Sequence, residues 1–199
     1  VNSSRAMGGV GIGGGASGDV SLGAAGGTVY IKDNAVLEAY GGDVVSLLTT
    51  NNVNYVRAGA GIGGGATAGL TAGGPGGYIH ISDNATVTAI GGKSEIYHNS
   101  GLSYVRAGSG IGGGAGTPGG DNNLVEITGG TVTAIGGDVI DKRAFSAGRP
   151  EGTQGYFTRL GAGSGIGAGS GAVNEGYGAG GVITITGGTV TATGGKYTH

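Results

Sequence analysis

The sequence predicts an all-β fold in which about four repeats stack as a parallel β-solenoid. Two observations carry this prediction: the run Gly-x-Gly-Ile-Gly occurs four times, and each copy leads into a strand pair bounded by Gly-Gly. A self-similar unit of this length cannot bury its own apolar face, so successive units must stack to form a core. The four runs are centred on Ile12, Ile62, Ile111 and Ile166.

Each repeat also contains a segment in which apolar and polar residues alternate, as they do along a half-buried strand. The four segments are 28–40, 78–90, 124–135 and 182–193. Alternation places two apolar pairs of every segment in the core, one on each side of a turn: Val29/Ile31 and Leu37/Ala39, Ile79/Ile81 and Val87/Ala89, Val125/Ile127 and Val132/Ala134, Ile183/Ile185 and Val190/Ala192.

The turn inside each segment is Gly-Gly in the last two repeats, at Gly129 and Gly187, and Asp-Asn-Ala in the first two, at Asp33 and Asp83. Glycine and asparagine tolerate positive φ, so both versions provide a bend. A two-residue Gly-Gly link is also typical of a hairpin. We favour a solenoid corner, because the Gly-x-Gly-Ile-Gly run supplies a third strand to every repeat.

Glycine contributes 54 of the 199 residues and proline only three, which excludes collagen and proline-rich linkers. Two conformations are open to the glycine runs. They either form strands of the solenoid or run as extended threefold helices, like polyglycine II, packed against one another.

Composition excludes several classes of partner. Ten Lys and Arg face twelve Asp and Glu, and no basic block indicates nucleic-acid binding. No apolar run reaches the roughly 20 residues of a membrane-spanning helix, so we expect no membrane insertion. The absence of cysteine excludes disulfides and fits a secreted bacterial surface protein as well as a cytosolic one, so it does not decide the compartment. The chain starts almost directly on a glycine run, and we expect it to be a fragment of a longer surface protein.

The sequences GAGIGGG and GGVITITGGTVTATGG resemble the glycine-rich repeats of surface proteins from anaerobic Gram-positive bacteria. The ITGGTVTA turn is similar to that of clostridial carbohydrate-binding β-helix proteins. These resemblances imply a right-handed parallel β-helix that is secreted or on the cell surface and acts in adhesion or carbohydrate binding. The glycine runs also resemble, more weakly, the tail-tip adhesins of phages, which implies host recognition.

One domain is predicted, with repeats at 6–42, 58–92, 107–137 and 160–195. Three insertions, 43–57, 93–106 and 138–159, interrupt it at one edge. Loops on a rigid scaffold commonly carry function, so we expect a ligand to bind there. The candidate ligand-binding residues are Tyr55, Arg57, Tyr97, His98, Tyr104, Arg106, Arg143, Arg149, Phe157 and Arg159.

Within this set the pattern aromatic-x-Arg recurs, with Arg57, Arg106 and Arg159 as its last residues. Stacking the repeats would place the aromatic rings in one ladder and the guanidinium groups in another. Aromatic faces pack on sugar rings, and arginine donates paired hydrogen bonds. The alternative is structural: the rings cap the edge and the arginines bind loop carbonyls.

No catalytic residues, metal ligands or cofactor are predicted. The histidines are not at ligand spacing, and Asp33 and Asp83 fit turns rather than calcium sites. Lower-ranked ideas are a polysaccharide lyase or hydrolase using the charges of 138–159, and ice binding by outward threonines. The sequence therefore favours a non-catalytic module that binds a polysaccharide or host-surface glycan. A spacer or fibre unit that self-associates through its solenoid ends is the structural alternative.

Overall fold

The computed structural model describes residues 3–18, 21–47, 53–97, 102–142, 158–171 and 178–199, and its strands form four successive coils. The first coil contains β1 (Ser3–Met7), β2 (Ile12–Gly13), β3 (Thr28–Ile31), β4 (Val36–Tyr40) and β5 (Val44–Ser46). The second contains β6 (Val53–Arg57), β7 (Ile62–Gly63), β8 (Tyr78–Ile81), β9 (Thr86–Ile90) and β10 (Ser94–Ile96).

The third coil contains β11 (Ser103–Arg106), β12 (Ile111–Gly112), β13 (Leu124–Ile127), β14 (Thr131–Ile135) and β15 (Val139–Asp141). The fourth contains β16 (Thr158–Gly161), β17 (Ile166–Gly167), β18 (Val182–Ile185), β19 (Thr189–Thr193) and β20 (Tyr197–Thr198). Equivalent strands pair in parallel, which gives five four-stranded sheets numbered here by their first strand. The predicted all-β parallel solenoid of four repeats is confirmed.

Parallel pairing also excludes the hairpin. The two strands on either side of the turn, such as β3 and β4, belong to different sheets and pair only with the next coil. The turn positions have positive φ at Asp33 (61°) and Asp83 (58°), and at Gly130 and Gly188 (both 83°). In the first two coils the aspartate rather than the asparagine therefore adopts the left-handed conformation.

The register of the predicted core columns is confirmed. Ile12, Ile62, Ile111 and Ile166 pair in register up the second sheet. The apolar pairs of the third and fourth sheets stack in the same way. They form one hydrophobic cluster, which is buried in the two middle coils and buried or partly buried in the first. In the fourth coil Ile166 and Val190 are partly buried, whereas Ile183, Ile185 and Ala192 are exposed.

The described part of each coil contains five strands rather than the three that the sequence predicts. The additional strands build the first and fifth sheets, and β5, β6, β10, β11 and β15 lie wholly in the intervals interpreted as insertions. Apolar residues of these two sheets pack into a second, smaller core, because their side chains alternate in the same way as those of the main core. Its members are Val44, Val56, Ala58, Ile96, Val105, Ala107 and Val139.

Between the two cores, the glycine segment that connects β1 to β2 packs against the segment that connects β4 to β5, and the equivalent segments of the other coils do the same. We call this line of contact the waist seam. Hydrogen bonds zigzag along it: Gly92 donates to Gly59 O (2.9 Å), Gly108 to Gly92 O (3.2 Å) and Gly137 to Gly108 O (2.8 Å). The bonds alternate between two segments of the coil instead of following one ladder. This waist seam differs from the two-residue ladder at Ile-Gly, so the glycine runs contain both a strand and chains packed across a seam.

In the two middle coils only glycine fits the waist seam. A Cβ at Gly108 would lie 1.9 Å from Gly59 O, and one at Gly137 would lie 1.9 Å from Gly92 O. A second seam with the same zigzag joins Gly65, Gly74, Gly114 and Gly120 on the far side of the second sheet. Within the described ranges no helix has the length and apolarity needed to cross a membrane.

Two adjacent glycines of the first coil test this packing. A Cβ on Gly14 would lie 1.8 Å from Ala24 O, whereas one on Gly15 would have no atom within 4 Å. We expect Gly14→Ala to lower the free energy of unfolding by about 1–3 kcal/mol through overpacking. Gly15→Ala should leave it unchanged or raise it by up to about 1 kcal/mol.

Urea-induced unfolding of both variants measures the difference. Equal losses of stability at the two positions would contradict the close approach of the glycine segments.

Candidate functional site

The structure buries the tyrosines of the aromatic-x-Arg pattern. Tyr55 and Tyr104 are 7% and 5% exposed, and their rings stack with centroids 4.9 Å apart and planes 9° apart. Arg5 continues the column on one side, with Cζ 6.0 Å from the Tyr55 centroid. Arg159 continues it on the other, 5.4 Å from the Tyr104 centroid. The two rings thus lie between guanidinium groups inside the solenoid.

The arginines of the pattern are buried as well. Arg57 and Arg106 have no exposed surface. Arg57 donates to Thr67 O at 2.7 Å and to Thr117 Oγ1 at 2.5 Å. Arg106 donates to Gly116 O and Thr117 Oγ1. These bonds tie the first sheet to the glycine-rich connections that follow β7 and β12, as the structural alternative proposes, so this ladder lies inside the molecule.

The third copy of the pattern does not continue the ladder. Parallel pairing sets Tyr104 opposite Arg159 and Arg106 opposite Gly161, so the prediction that Arg57, Arg106 and Arg159 form one column is wrong for Arg159. Arg57 and Arg106 each precede the isoleucine of the next Gly-x-Gly-Ile-Gly run by five positions, whereas Arg159 precedes Ile166 by seven, so the motif is displaced by two positions in the fourth coil.

The other candidate residues are divided by location. Tyr97 is 38% exposed, and its hydroxyl donates to Glu95 Oε2 at 2.9 Å, so it is accessible at the predicted edge. Four further candidates lie outside the described residues, and their role stays a prediction: His98, Arg143, Arg149 and Phe157.

A groove runs along the solenoid at the corner between the fourth and fifth sheets, across the first three coils. We call it the axial groove. Its volume is about 410 Å³. The lining residues are Tyr40, Gly41, Asp43, Ile90, Gly91, Lys93, Ile135, Gly136, Gly137 and Asp138.

One wall of the axial groove is apolar. Tyr40, Ile90 and Ile135 stack in register on the outward side of the fourth sheet. Tyr40 is 55% exposed, and its hydroxyl donates to Glu38 Oε2 at 3.1 Å, a hydrogen bond that raises the pKa of Tyr40. An outward apolar column beside a polar wall is typical of a binding surface rather than of packing.

The opposite wall carries charges that alternate from coil to coil. Asp43 Oδ1 accepts a hydrogen bond from the Lys93 backbone amide at 2.8 Å, and Asp138 Oδ1 accepts one from the Lys196 amide at 2.7 Å. The Lys93 ammonium lies 2.6 Å from Glu95 Oε1. Its hydrogen bond to Glu95 raises the pKa of Lys93 and lowers that of Glu95. These side chains are held in place by the scaffold.

The floor between the walls consists of glycine backbone. A Cβ on Gly41 would lie 2.1 Å from Gly59 O, and one on Gly136 would lie 2.0 Å from Gly163 O. Packing on the inner side therefore forces glycine at these positions, and the outer side has no side chains as a result. Such a floor lets a ligand approach the backbone closely.

Our sequence interpretation missed this groove, although the sequence contains a signal for it. The residue before each Gly-Gly, at Tyr40, Ile90 and Ile135, is apolar at a position where alternation predicts an outward side chain. A charged residue follows each Gly-Gly at Asp43, Lys93 and Asp138, but these began the intervals interpreted as loops. Among the described residues no group of three or more His, Cys, Asp or Glu could hold a metal ion.

Substitution of Arg106 tests the contribution of the internal ladder to stability. Replacing it by Met leaves the buried Gly116 carbonyl and Thr117 hydroxyl without their donor, so we expect the free energy of unfolding to fall by about 2–4 kcal/mol. Arg106→Lys should restore only part of the loss, because an ammonium lacks the planar fork. Arg5→Met, at the exposed end of the column, should cost about 0.5–1 kcal/mol.

Urea-induced unfolding compares the three variants. A loss no larger at Arg106 than at Arg5 would show that the buried guanidinium is dispensable.

Comparison of the chain with models of protein families, with curated proteins and with solved structures returns no match. No relative therefore supplies a substrate or partner.

Proposed function

We propose that this protein is a non-catalytic, secreted or cell-surface module that binds a polysaccharide or host-surface glycan in the axial groove. The observation that carries the proposal is the groove itself, with its apolar wall, its charged wall and its bare glycine floor. We place the ligand here rather than on Tyr55 and Tyr104, because those rings are buried.

Sugar rings match the two walls. The C–H face of a pyranose packs on an aromatic or aliphatic surface, which Tyr40, Ile90 and Ile135 provide. Its hydroxyl groups donate to carboxylates and accept from ammonium groups, and both kinds of partner are present in Asp43, Lys93 and Asp138. Because each aspartate is already fixed by a backbone amide, the wall loses little freedom when a ligand binds.

A linear glycan also matches the repetition of the groove. Successive coils are about 4.8 Å apart, so equivalent side chains recur along the axis. A chain that follows this axis meets a similar pair of walls at each coil. Weak contacts then add along one ligand, which is how repeated sites gain affinity.

The charged groups of the groove favour binding over catalysis. Asp43 and Asp138 each accept a backbone hydrogen bond, and Lys93 is paired with Glu95. Each group therefore has a holding role in the scaffold, and we assign no proton transfer to any of them.

A double variant tests the site. We expect the double variant Tyr40→Ser with Asp138→Asn to raise the Kd for a bound glycan at least about tenfold. This corresponds to a loss of about 1.4 kcal/mol of binding free energy. The variant removes one apolar contact and one carboxylate, while Asn keeps an acceptor for the Lys196 amide. A glycan array identifies the ligand, and calorimetry with that glycan measures the Kd.

Leu70→Ser is the matched control, since Leu70 is apolar and 65% exposed but lies outside the groove. Unchanged affinity in the double variant would contradict the site, and a loss confined to Tyr97→Ser would move the ligand to the predicted loop edge.

Assembly is the second candidate function. The fourth coil exposes Val182 (59%), Ile183 (41%) and Ile185 (50%). The third coil pairs with these residues in register on one side. A chain that binds no glycan on the array, but whose sedimentation shows oligomers growing with concentration, would favour this structural role.

A further inference from the structure

The outward face of the third sheet carries a cluster of polar and aromatic side chains away from the axial groove. Tyr30, His80 and Glu126 occupy one column on three successive coils. Tyr78 lies two residues before His80 and therefore points to the same side of the sheet. We call these four residues the aromatic–acid patch.

Three rings of the patch contact one another. The Tyr30 and Tyr78 rings are nearly perpendicular, with centroids 5.6 Å apart and planes 82° apart. The His80 ring lies 5.9 Å from Tyr30 and 6.3 Å from Tyr78. Tyr30 is 63% exposed, and the patch lies on the surface rather than in either core. The rings thus form an open corner of aromatic walls.

Glu126 brings a carboxylate to this corner. Its Oε2 accepts a hydrogen bond from the Tyr78 hydroxyl at 2.5 Å and lies 3.4 Å from His80 Nδ1. The side chain of Glu126 remains 35% exposed. Both of its partners contact Tyr30, so the carboxylate and the exposed ring belong to one site.

The protonation states of Glu126 and Tyr78 place a negative charge in the aromatic–acid patch at neutral pH. The hydrogen bonds from Tyr78 and then His80 lower the pKa of Glu126, while the bond to Glu126 raises the pKa of Tyr78 to about 12. Glu126 is therefore ionised and Tyr78 is a neutral donor at neutral pH. Hydrogen bonds from the Asp33 amide and the Ser82 hydroxyl, together with the positive charge of Lys32, lower the pKa of Asp83, three residues after His80.

We propose that the aromatic–acid patch binds an organic ammonium group. Faces of aromatic rings attract cations, and sites that recognise ammonium groups combine several rings. The Glu126 carboxylate adds a charge opposite to that of the ligand. Because this carboxylate is partly exposed, the pairing does not require a fully buried ion. A quaternary or a protonated primary amine fits this chemistry, whether it belongs to a free small molecule or to a substituent on a larger ligand.

The site is independent of the proposed glycan groove. Its residues lie on the third sheet, whereas the groove lies between the fourth and fifth sheets. A failure of either proposal therefore leaves the other intact.

Choline is the probe for the experiment, and 3,3-dimethylbutanol, its neutral isostere, is the control ligand. Titration of the isotope-labelled protein, followed by NMR, should show choline shifting the amides around Tyr30, Tyr78 and His80. We expect Tyr30→Leu and Glu126→Gln each to raise the Kd for choline by about three- to tenfold. Tyr40→Leu, which removes an exposed tyrosine of the groove, should leave it unchanged.

Tyr78→Phe adds a second test, because it keeps the ring but frees the Glu126 carboxylate from the phenol. It should retain more choline binding than Glu126→Gln. The proposal is overturned if choline causes no shifts, if the neutral isostere binds equally well, or if choline affinity in folded Glu126→Gln equals that of the parent. Comparing a free amine with an amine-substituted glycan then separates the two sources of the group.

Discussion

The close approach of glycine backbones at the waist is the constraint on which the rest of this structure depends. Amides of Gly92, Gly108 and Gly137 reach across the seam to carbonyls at 2.8–3.2 Å, and no Cβ fits at these three positions. Glycine loses more conformational entropy on folding than other residues. The seam offsets that cost because its buried amides pair with carbonyls. It also allows each coil to contribute residues to both hydrophobic cores.

The same constraint links the fold to the proposed function. Because the waist seam requires glycine at Gly41, Gly91 and Gly136, the outer surface at this corner has no side chains. The strands on either side supply the apolar and charged walls of the axial groove. The arginine–tyrosine ladder has the complementary role, since Arg57 and Arg106 fix the first sheet to the connections that follow the second sheet.

Local pattern was enough to predict the repeats, the parallel stacking and the columns of the main core, because these depend on alternation and period. Burial of Arg57 could not be predicted in this way. Its partner Thr117 is 60 residues away in sequence, and only the folded coil brings the two together. The second core was missed because its short strands flank polar stretches. The groove was missed because an outward apolar residue such as Ile90 signals a surface only once its neighbours are known.

Residue-resolved hydrogen exchange of the native protein tests the central role of the seam most directly. Amides that open only on global unfolding exchange most slowly. We therefore expect Gly92, Gly108 and Gly137 to be among the slowest, matching Ile81 in the main core. Fast exchange at these glycines, beside slow exchange at Ile81, would contradict the account, because the two cores would then fold around a waist that contributes little.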